Sequence, residues 1–295
     1  MTSASIPAFP HKALQALLPL AFAEDEGTGD ITSEATLDPT HRSRAALLCK
    51  EDGVLAGVAV MEAVFRYRGL APRIEWLANE GDVIRAGQTL ARLEDNTHGL
   101  LVCERTLLNF MQRFSGIASV TRRFVEAAAP VKILDTRKTL PGYRELDKYA
   151  VAVGGGVNHR HGLYDQILIK DNHAAANGSV RAAADRALSR FGRAYKVEAE
   201  VRTLEELESL LDAPVDILLL DNMDDVTLTR AIARAREAAP HLKLEASGNM
   251  NIERAHALRN SGLDFISVGE LTHSVKALDL SLKIGSFPGG SHGFA

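Results

Sequence analysis

Apolar residues recur along this chain with two spacings, which predict different secondary structures. Near the start, Leu14, Leu17, Leu18, Ala21 and Phe22 follow the helical period of 3.6 residues. Short apolar runs typical of strands follow at residues 45–49, 54–58 and 74–77. The glycine-punctuated stretch 80–93 predicts tight turns in a compact β-layer. It is similar to lipoyl-type sandwiches but shows no exposed turn lysine for a cofactor. These patterns therefore predict an α+β domain in the first part of the chain.

A long helix is predicted from Glu104 to about Ala128, where apolar residues form one continuous stripe. Arg105 lies on the polar face of this helix, and that face is either solvated or functional. Gly116 predicts a break in the helix, or a close approach where one domain passes to the next.

The rest of the chain alternates between short apolar strands and helices. The predicted strands are 131–134, 166–169, 196–201, 217–220, 242–246 and 265–268. The predicted helices between them include 179–191, 203–211, 225–239 and 252–261. This alternation specifies a parallel sheet. Because there is no dinucleotide fingerprint, a barrel is favoured over a doubly wound sheet, and six strands leave it incomplete.

The fold class expected from these patterns is α/β, with an N-terminal α/β sandwich domain followed by an open parallel α/β barrel. We place the first domain at residues 1–113 and the barrel at 114–275. We expect the tail 276–295 to pack back on the first domain. A chain of 295 residues and 31.9 kDa has room for this arrangement.

Composition narrows the possible locations and partners. The longest apolar runs are shorter than the roughly 20 residues of a membrane span, and no basic segment precedes an apolar core at the N-terminus, so we expect a cytoplasmic protein. A net charge of -4 without long basic runs argues against binding nucleic acid. Cys49 and Cys103 form no CxxC pair and are expected to be buried, reduced thiols.

Each predicted strand ends in polar residues or is followed by them. They are Asp135 to Lys138, Lys170 to His173, Glu198 with Glu200, Asp221 with Asn222, Ser247 to Asn249, and Gly269 with Glu270. In a parallel barrel the carboxyl ends of the strands face one mouth, so these groups are expected to converge there. The alternative is helix capping, for which Asp221, Asn222, Ser247 and Asn249 are suitable residue types.

Three cations at these strand ends, Arg137, Lys138 and Lys170, together with Arg160, predict a small ligand with several anionic groups. The alternative is surface pairing with Asp135, Asp165 or Asp171. Lys170 follows an apolar strand and is expected to emerge at the mouth, because its burial would be costly.

Two further features fit a phosphorylated ligand. Glu200 and Asp221 suit Mg²⁺, which takes one or two protein carboxylates together with waters and substrate phosphates. The turns 246–249 and 268–270 resemble the late-strand phosphate sites of barrels. Gly154-Gly155-Gly156 lacks the GxGxxG order and is expected to be a loop or a lid.

The motif DTRKTLPGYRELDKYAVAVGGGVNHRHGLYDQILIKDNH, together with KVEAEV, DILLLDN, EASGNMN and ISVGELTHSVKALDLSLKI, closely resembles the quinolinate phosphoribosyltransferase family. The early segment 24–33 and the stretch 104–109 also look like that family, so the resemblance spans nearly the whole chain. It implies an N-terminal sandwich, an open barrel, and a homodimer, or a higher oligomer built from it, with sites at the subunit interface.

The resemblance also implies roles for individual residues. On the quinolinate side it implies Arg105 from the neighbouring subunit, Arg137, His159, Arg160 and Lys170. Lys138 is grouped with them, although it is long enough to serve either quinolinate or the phosphosugar, and Thr136 is implied as a substrate-binding residue. On the 5-phosphoribosyl 1-pyrophosphate side it implies Glu200 and Asp221, which face the ribose hydroxyls and Mg²⁺, and Ser247, Gly248, Asn249, Val268, Gly269 and Glu270, which surround the 5′-phosphate. The implied catalytic residues are Lys138, Lys170, Glu200 and Asp221. Family members often carry a small residue where Glu270 stands, so we expect its side chain to turn away from the phosphate.

The implied reaction is phosphoribosyl transfer to quinolinate with decarboxylation, giving nicotinate mononucleotide, pyrophosphate and CO₂ in NAD biosynthesis. One alternative is a Schiff-base lyase that uses Lys170. A second is a non-catalytic protein that binds phosphosugars. A third is a paralogue that uses nicotinate or is associated with metal transport.

Overall fold

The computed structural model describes residues 6–285. Its helices are α1 (His11–Asp25), α2 (Ile31–Thr36), α3 (Val58–Tyr67), α4 (Thr97–Ala128), α5 (Arg144–Val153), α6 (Asp171–Asn177), α7 (Val180–Phe191), α8 (Leu204–Leu210), α9 (Asp225–Ala238), α10 (Ile252–Ala257) and α11 (Glu270–His273), with a 3₁₀ turn at Leu258–Asn260. Its strands are β1 (Arg42–Cys49), β2 (Gly53–Val54), β3 (Arg73–Trp76), β4 (Val83–Ile84), β5 (Thr89–Asn96), β6 (Lys132–Leu134), β7 (Ile167–Ile169), β8 (Val197–Val201), β9 (Ile217–Asp221), β10 (Lys243–Ser247), β11 (Phe265–Ser267) and β12 (Leu280–Ile284). Across the described residues, no helix combines the length and the hydrophobicity needed to cross a membrane.

The first of two compact units contains the described chain up to Val120, the segment Leu140–Gly154 and the described chain from Val275. Its antiparallel sheet has the order β12-β1-β5-β3, and β2 pairs with β4 in a separate ladder. Leu47 of β1 lies opposite Leu282 on one side and Ala91 on the other. Strand β12 therefore belongs to this sheet, while residues 286–295 of the expected tail lie outside the described part of the chain.

The predicted strand 54–58 is wrong beyond its first residue, for a physical reason. It stops at Val54, because Gly57 adopts φ +95° and the chain turns into α3. The carboxylate of Glu80 accepts hydrogen bonds from the Gly57 and Val58 amides, both at 2.7 Å, and so satisfies two N–H groups at this helix start. Burial raises the pKa of Glu80.

Helix α4 begins at Thr97, earlier than predicted, and runs through Gly116 without a break. The second expectation for Gly116 is confirmed: a Cβ at this position would lie 2.2 Å from the carbonyl oxygen of Lys276. Glycine is required here by a close backbone approach, which also explains why it is tolerated within a helix.

The segment Leu140–Gly154 falls in the first unit, although the sequence pattern predicted it to be part of the barrel domain. Tyr149 of α5 packs edge-on against Phe9, with ring centroids 5.0 Å apart. The buried carboxylate of Asp147 accepts two hydrogen bonds from Arg113, at 2.9 and 2.7 Å. These contacts tie α5 to this unit. The border along α4 lies at Val120 and Thr121.

The second unit is a parallel sheet of six strands in the order β6-β11-β10-β9-β8-β7. All six predicted strands are confirmed, with their ends displaced by no more than one residue. Strands β7 to β11 lie side by side in chain order without reversal, which is the winding of a barrel and differs from that of a doubly wound sheet. Within residues 6–285 no ladder joins β6 to β7, so the barrel is open, as expected.

Candidate active site

The polar residues at the carboxyl ends of the barrel strands surround one cavity of about 600 Å³. Parallel register aligns these ends: Asp221 pairs with Ser247 across β9 and β10, and Ser267 pairs with Leu134 across β11 and β6. Of the residues implied by the sequence, those that line this cavity are Lys138, Lys170, Glu200, Asp221, Ser247, Gly248, Asn249, Gly269 and Glu270. Arg202, Asp171 and His273 also line it and were not predicted as site residues.

Helix capping does not explain the polar strand ends. The N-cap of α9 is Asp224, which accepts a hydrogen bond from the Thr227 amide, and the N-cap of α10 is Asn251, which accepts one from the Arg254 amide. The capping alternative is therefore wrong for Asp221, Asn222, Ser247 and Asn249. Those four positions precede the caps and line the ligand cavity.

Glu200 and Asp221 form the acidic part of the cavity. Their side chains are only 7% and 12% exposed, and the guanidinium of Arg202 lies 3.0 Å from Glu200 and 3.4 Å from Asp221. Ser247 donates a hydrogen bond from its hydroxyl to Asp221, and Asn222 donates one from its side-chain amide at 2.8 Å. Burial and the neighbouring Asp221 raise the pKa of Glu200, while Lys170 and Arg202 act in the opposite direction. Two hard oxygen donors on one wall suit Mg²⁺, and the guanidinium shows that a cation fits between them.

Gly248 makes possible the tight turn after β10. Its φ is +95°, and a Cβ would lie 2.1 Å from the side-chain oxygen of Asn222. Arg254 donates hydrogen bonds to the carbonyls of Gly248 and Met223, both at 2.8 Å, and so ties the turn after β10 to the turn after β9. Asn222 and Asn249 are also left-handed, with φ of 52° and 48°. The two turns are thus held in a fixed concave shape.

Arg160 is the most buried of the predicted cations, at 8% exposure. One of its terminal nitrogens donates to the Gln166 carbonyl at 3.3 Å, and its buried Nε has no hydrogen-bond partner within the described residues. Burial and the nearby charge of Arg137 lower the pKa of Arg160. A buried guanidinium with an unused donor beside a second guanidinium is stabilised by an anion.

The three carboxylates suggested as surface partners of these cations each have other partners among the described residues. Asp135 is fully buried and accepts a hydrogen bond from the His159 amide at 2.8 Å. Asp165 accepts from the His161 and Gly162 amides within its own loop, and Asp171 pairs with Arg202 at 3.1 Å.

Lys138 and Lys170 are exposed and line the same cavity. The backbone carbonyl of Lys138 accepts a hydrogen bond from Thr272 at 2.8 Å, and its amide donates to Thr136 at 3.0 Å, so the lysine sits on a braced turn. Lys170 faces the charge of Glu200.

A buried acidic cluster contains His159, Glu198 and Glu245, of which the sequence reasoning named the first two but missed Glu245. Nδ1 of His159 accepts from the Arg160 amide at 2.7 Å, and its Nε2 lies 3.0 Å from Glu198 and 3.8 Å from Glu245. Gln166 donates to Glu198 at 2.6 Å, and Ser267 donates to Glu245. Burial, followed by the charge of Glu198, raises the pKa of Glu245 to about 8. The sequence carried a signal for this cluster. Glu198 and Glu200 alternate along β8, and Glu245 lies in the middle of β10, so these side chains share the face of the sheet that lines a barrel interior.

Arg105 and Val268 are not among the residues that line this cavity. Arg105 is exposed on α4 in the first unit. Val268 is buried, and its amide donates to the Leu134 carbonyl at 3.0 Å, so that N–H is committed to the sheet. Glu270 begins α11 and lines the cavity; the expected orientation of its side chain stays a prediction.

Comparison with known proteins gives consistent matches over both units. The family model described as "Quinolinate phosphoribosyl transferase, N-terminal domain" matches residues 30–115, and the corresponding C-terminal domain matches residues 117–283. The chain is 44% identical to the chloroplastic nicotinate-nucleotide pyrophosphorylase (carboxylating) of Arabidopsis thaliana, covering 94% of this chain and 84% of that one. It is 40% identical to a probable enzyme of the same name from Bacillus subtilis, covering 93% and 94%. The crystal structure of NadC from Streptococcus pyogenes superposes with a TM-score of 0.89 at 38% identity, covering 95% of this chain and 98% of that one.

Proposed function

The chain belongs to the quinolinate phosphoribosyltransferase family, and from this premise we propose how its site carries out the family's reaction. The enzyme transfers the phosphoribosyl group of 5-phosphoribosyl 1-pyrophosphate to quinolinate. The products are nicotinate mononucleotide, pyrophosphate and CO₂, in NAD biosynthesis.

The quinolinate end of the site is built on Arg137, Lys138, Arg160 and Lys170. The observation that carries this assignment is the buried guanidinium of Arg160, with its unused Nε donor, beside the charge of Arg137. A ligand with two carboxylates compensates both cations, and a ligand with one does not. His159 uses both of its ring nitrogens in protein contacts, so we assign it the task of orienting the Arg160 backbone. Thr136 braces the turn that carries Lys138.

The phosphosugar end lies at the later strands. Glu200 and Asp221 face the ribose hydroxyls, and the turns at Ser247, Gly248 and Asn249 and at Gly269 and Glu270 surround the 5′-phosphate. Val268 is left out of this set, because its amide already donates to the Leu134 carbonyl. The braced, left-handed turn at Gly248 supports this assignment, because it brings the backbone close to the cavity without a side chain in between.

Magnesium is proposed as the metal, held by Glu200 and Asp221. Their two carboxylates are the hard oxygen donors that Mg²⁺ prefers, and they leave most of its positions for water and phosphate oxygens. When bound, the ion would offset the charge that develops on the departing pyrophosphate.

The chemistry needs no protein nucleophile. The pyridine nitrogen of quinolinate forms a bond to C1 of the ribose as the bond from C1 to pyrophosphate breaks, and the leaving oxygen keeps the electron pair. Glu200 and Asp221 stabilise the positive charge on the sugar in this step, while Lys138 and Lys170 neutralise the anions. The ring nitrogen is then cationic, and its charge stabilises the electron pair that stays on C2 when the bond from C2 to the carboxylate breaks and CO₂ departs. C2 then takes up a proton from solvent.

Arg105 is proposed to reach quinolinate from a second copy of the chain, in a homodimer or a higher oligomer. Its exposure on α4 supports this role, because it leaves the guanidinium accessible to a partner. We also propose a cytoplasmic location. The two buried free cysteines are typical of proteins from reducing compartments.

One assay tests the proposal. Purified protein is given 5-phosphoribosyl 1-pyrophosphate and Mg²⁺ with either quinolinate or nicotinate, and pyrophosphate and CO₂ are both measured. We expect equal amounts of the two products from quinolinate and little reaction with nicotinate. Turnover of nicotinate, or no release of either product, would overturn the assignment. Borohydride trapping serves as a control, since an adduct at Lys170 would indicate the Schiff-base lyase instead.

A further inference from the structure

We propose that Arg202 is a built-in counter-cation, which occupies the place of magnesium between Glu200 and Asp221 and is displaced when the metal arrives. The inference rests on the proposed function, since it concerns the same two carboxylates. It assigns a role to a residue that neither the sequence motifs nor the family resemblance singled out.

The guanidinium of Arg202 contacts three carboxylates, one through each nitrogen. Nη2 lies 3.0 Å from Glu200, Nε lies 3.4 Å from Asp221, and Nη1 lies 3.1 Å from Asp171. All four residues line the cavity. Arg202 is thus a cation that bridges three acidic groups of the cavity.

The carboxylates need such a cation when no metal is bound. Glu200 and Asp221 are largely buried, and two neighbouring buried carboxylates repel one another unless a positive charge lies close by. Lys170 is near Glu200 but is itself placed at the quinolinate end. Arg202 therefore supplies positive charge beside Glu200 and Asp221.

The same residue has to move when a divalent ion binds. A guanidinium in contact with both carboxylates would repel a Mg²⁺ ion that binds the same oxygens. Half of the Arg202 side chain is exposed, which leaves it room to swing outward. Its backbone stays fixed, because the Arg202 amide donates to Glu206 at 2.7 Å. After displacement the guanidinium remains close enough to attract the pyrophosphate that accompanies the metal.

Direct metal binding tests the proposal without any turnover. Binding of Mn²⁺, used in place of Mg²⁺ because it is visible by electron paramagnetic resonance, is titrated at mildly alkaline pH for wild type, Arg202→Gln and Arg202→Lys. Arg234→Gln is the matched control, since Arg234 is a similarly exposed arginine that pairs with Glu208 on the helices of the same unit. We expect Arg202→Gln to bind Mn²⁺ about tenfold more tightly, and the other two variants to stay within about twofold of wild type, because they retain the local charge or lie elsewhere.

Thermal unfolding gives a second readout. Without metal, Arg202→Gln should unfold at a lower temperature than Arg234→Gln, and Mg²⁺ should restore it, because the metal then supplies the missing positive charge. Mg²⁺ should raise the unfolding temperature of wild type by a smaller amount.

Two results would overturn the proposal. One is unchanged Mn²⁺ affinity in Arg202→Gln. The other is an equal loss of 5-phosphoribosyl 1-pyrophosphate binding with and without metal, which would make Arg202 a direct phosphate ligand. Either result leaves the proposed function intact if wild type still releases pyrophosphate and CO₂ from quinolinate. If wild type releases neither, the proposed function fails, and the Mn²⁺ titration still decides the role of Arg202.

Discussion

Replacement of Gly248 by alanine probes the turn that we assign to the 5′-phosphate. The added methyl group meets two separate obstacles. The backbone is held at φ +95°, which L-residues rarely adopt, and the new Cβ would lie 2.1 Å from the side-chain oxygen and 3.0 Å from the Cα of Asn222. The first obstacle is a conformational strain, and the second is a steric clash that Asn222 can relieve only by moving.

The size of each effect follows from the structure. Strain at a left-handed position costs about 1–2 kcal/mol. Moving Asn222 breaks its hydrogen bond to the Asp221 carboxylate, at 2.8 Å, and this loss adds about 1.5–3 kcal/mol because the acceptor is charged. We therefore expect Gly248→Ala to reduce the free energy of unfolding by about 2.5–5 kcal/mol.

Gly178→Ala is the matched control. Gly178 has φ +85° at the end of α6, and a Cβ added there would find nothing within 4 Å, so this change carries the strain without the clash. It should cost about 1–2 kcal/mol.

The assay is urea unfolding of both variants, followed by calorimetric titration with 5-phosphoribosyl 1-pyrophosphate and with quinolinate. Gly248→Ala should lose affinity for the phosphosugar far more than for quinolinate, and Gly178→Ala should lose neither. If the two variants are equally stable and both bind the phosphosugar normally, the clash at Asn222 is not real and the assignment of this turn is wrong.

Three further predictions concern other parts of the molecule. Arg137→Ala should raise the KM for quinolinate at least about tenfold more than the KM for 5-phosphoribosyl 1-pyrophosphate, since a lost charge-assisted contact costs about 1.5–3 kcal/mol; equal increases would refute the division of the site into two ends. Glu245 has a pKa raised from 4.5 to about 8 by burial, so the native state keeps its proton while the unfolded chain ionises, and stability should fall as pH rises from about 4.5 to about 8. Glu245→Gln should flatten this slope in unfolding curves, and an unchanged slope would show that another group causes it. Gly116→Ala should lower the melting temperature despite the better helix propensity of alanine, because its Cβ would lie 2.2 Å from the Lys276 carbonyl and overpacking costs about 1–3 kcal/mol; a stabilised variant would count against this close approach.

Much of the barrel was predictable because its signals are local. Each strand is a short apolar run followed directly by polar residues, so both its position and the chemistry at its end can be read from neighbouring residues. The predicted strand 54–58 was too long because it, too, was inferred from a local apolar run. An apolar run continues into α3, and only the left-handed conformation of Gly57 marks the turn between them.

The capping alternative shows a different limit. Asp221 and Asn251 are both suitable caps by residue type, and the sequence does not say at which residue a helix begins. The structure places the caps of the two helices at Asp224 and Asn251, which releases the residues before them for the cavity.

Local patterns in the sequence were enough to establish the fold class, the six strands and the polar groups at their ends, because each depends on residues close together in the chain. How these groups pair depends on the tertiary structure. Arg202 joins carboxylates from three different strand ends, and His159 meets Glu198 and Glu245 in the barrel interior. Such partners are brought together by parallel register and by the curvature of the sheet, and no local pattern records those distances.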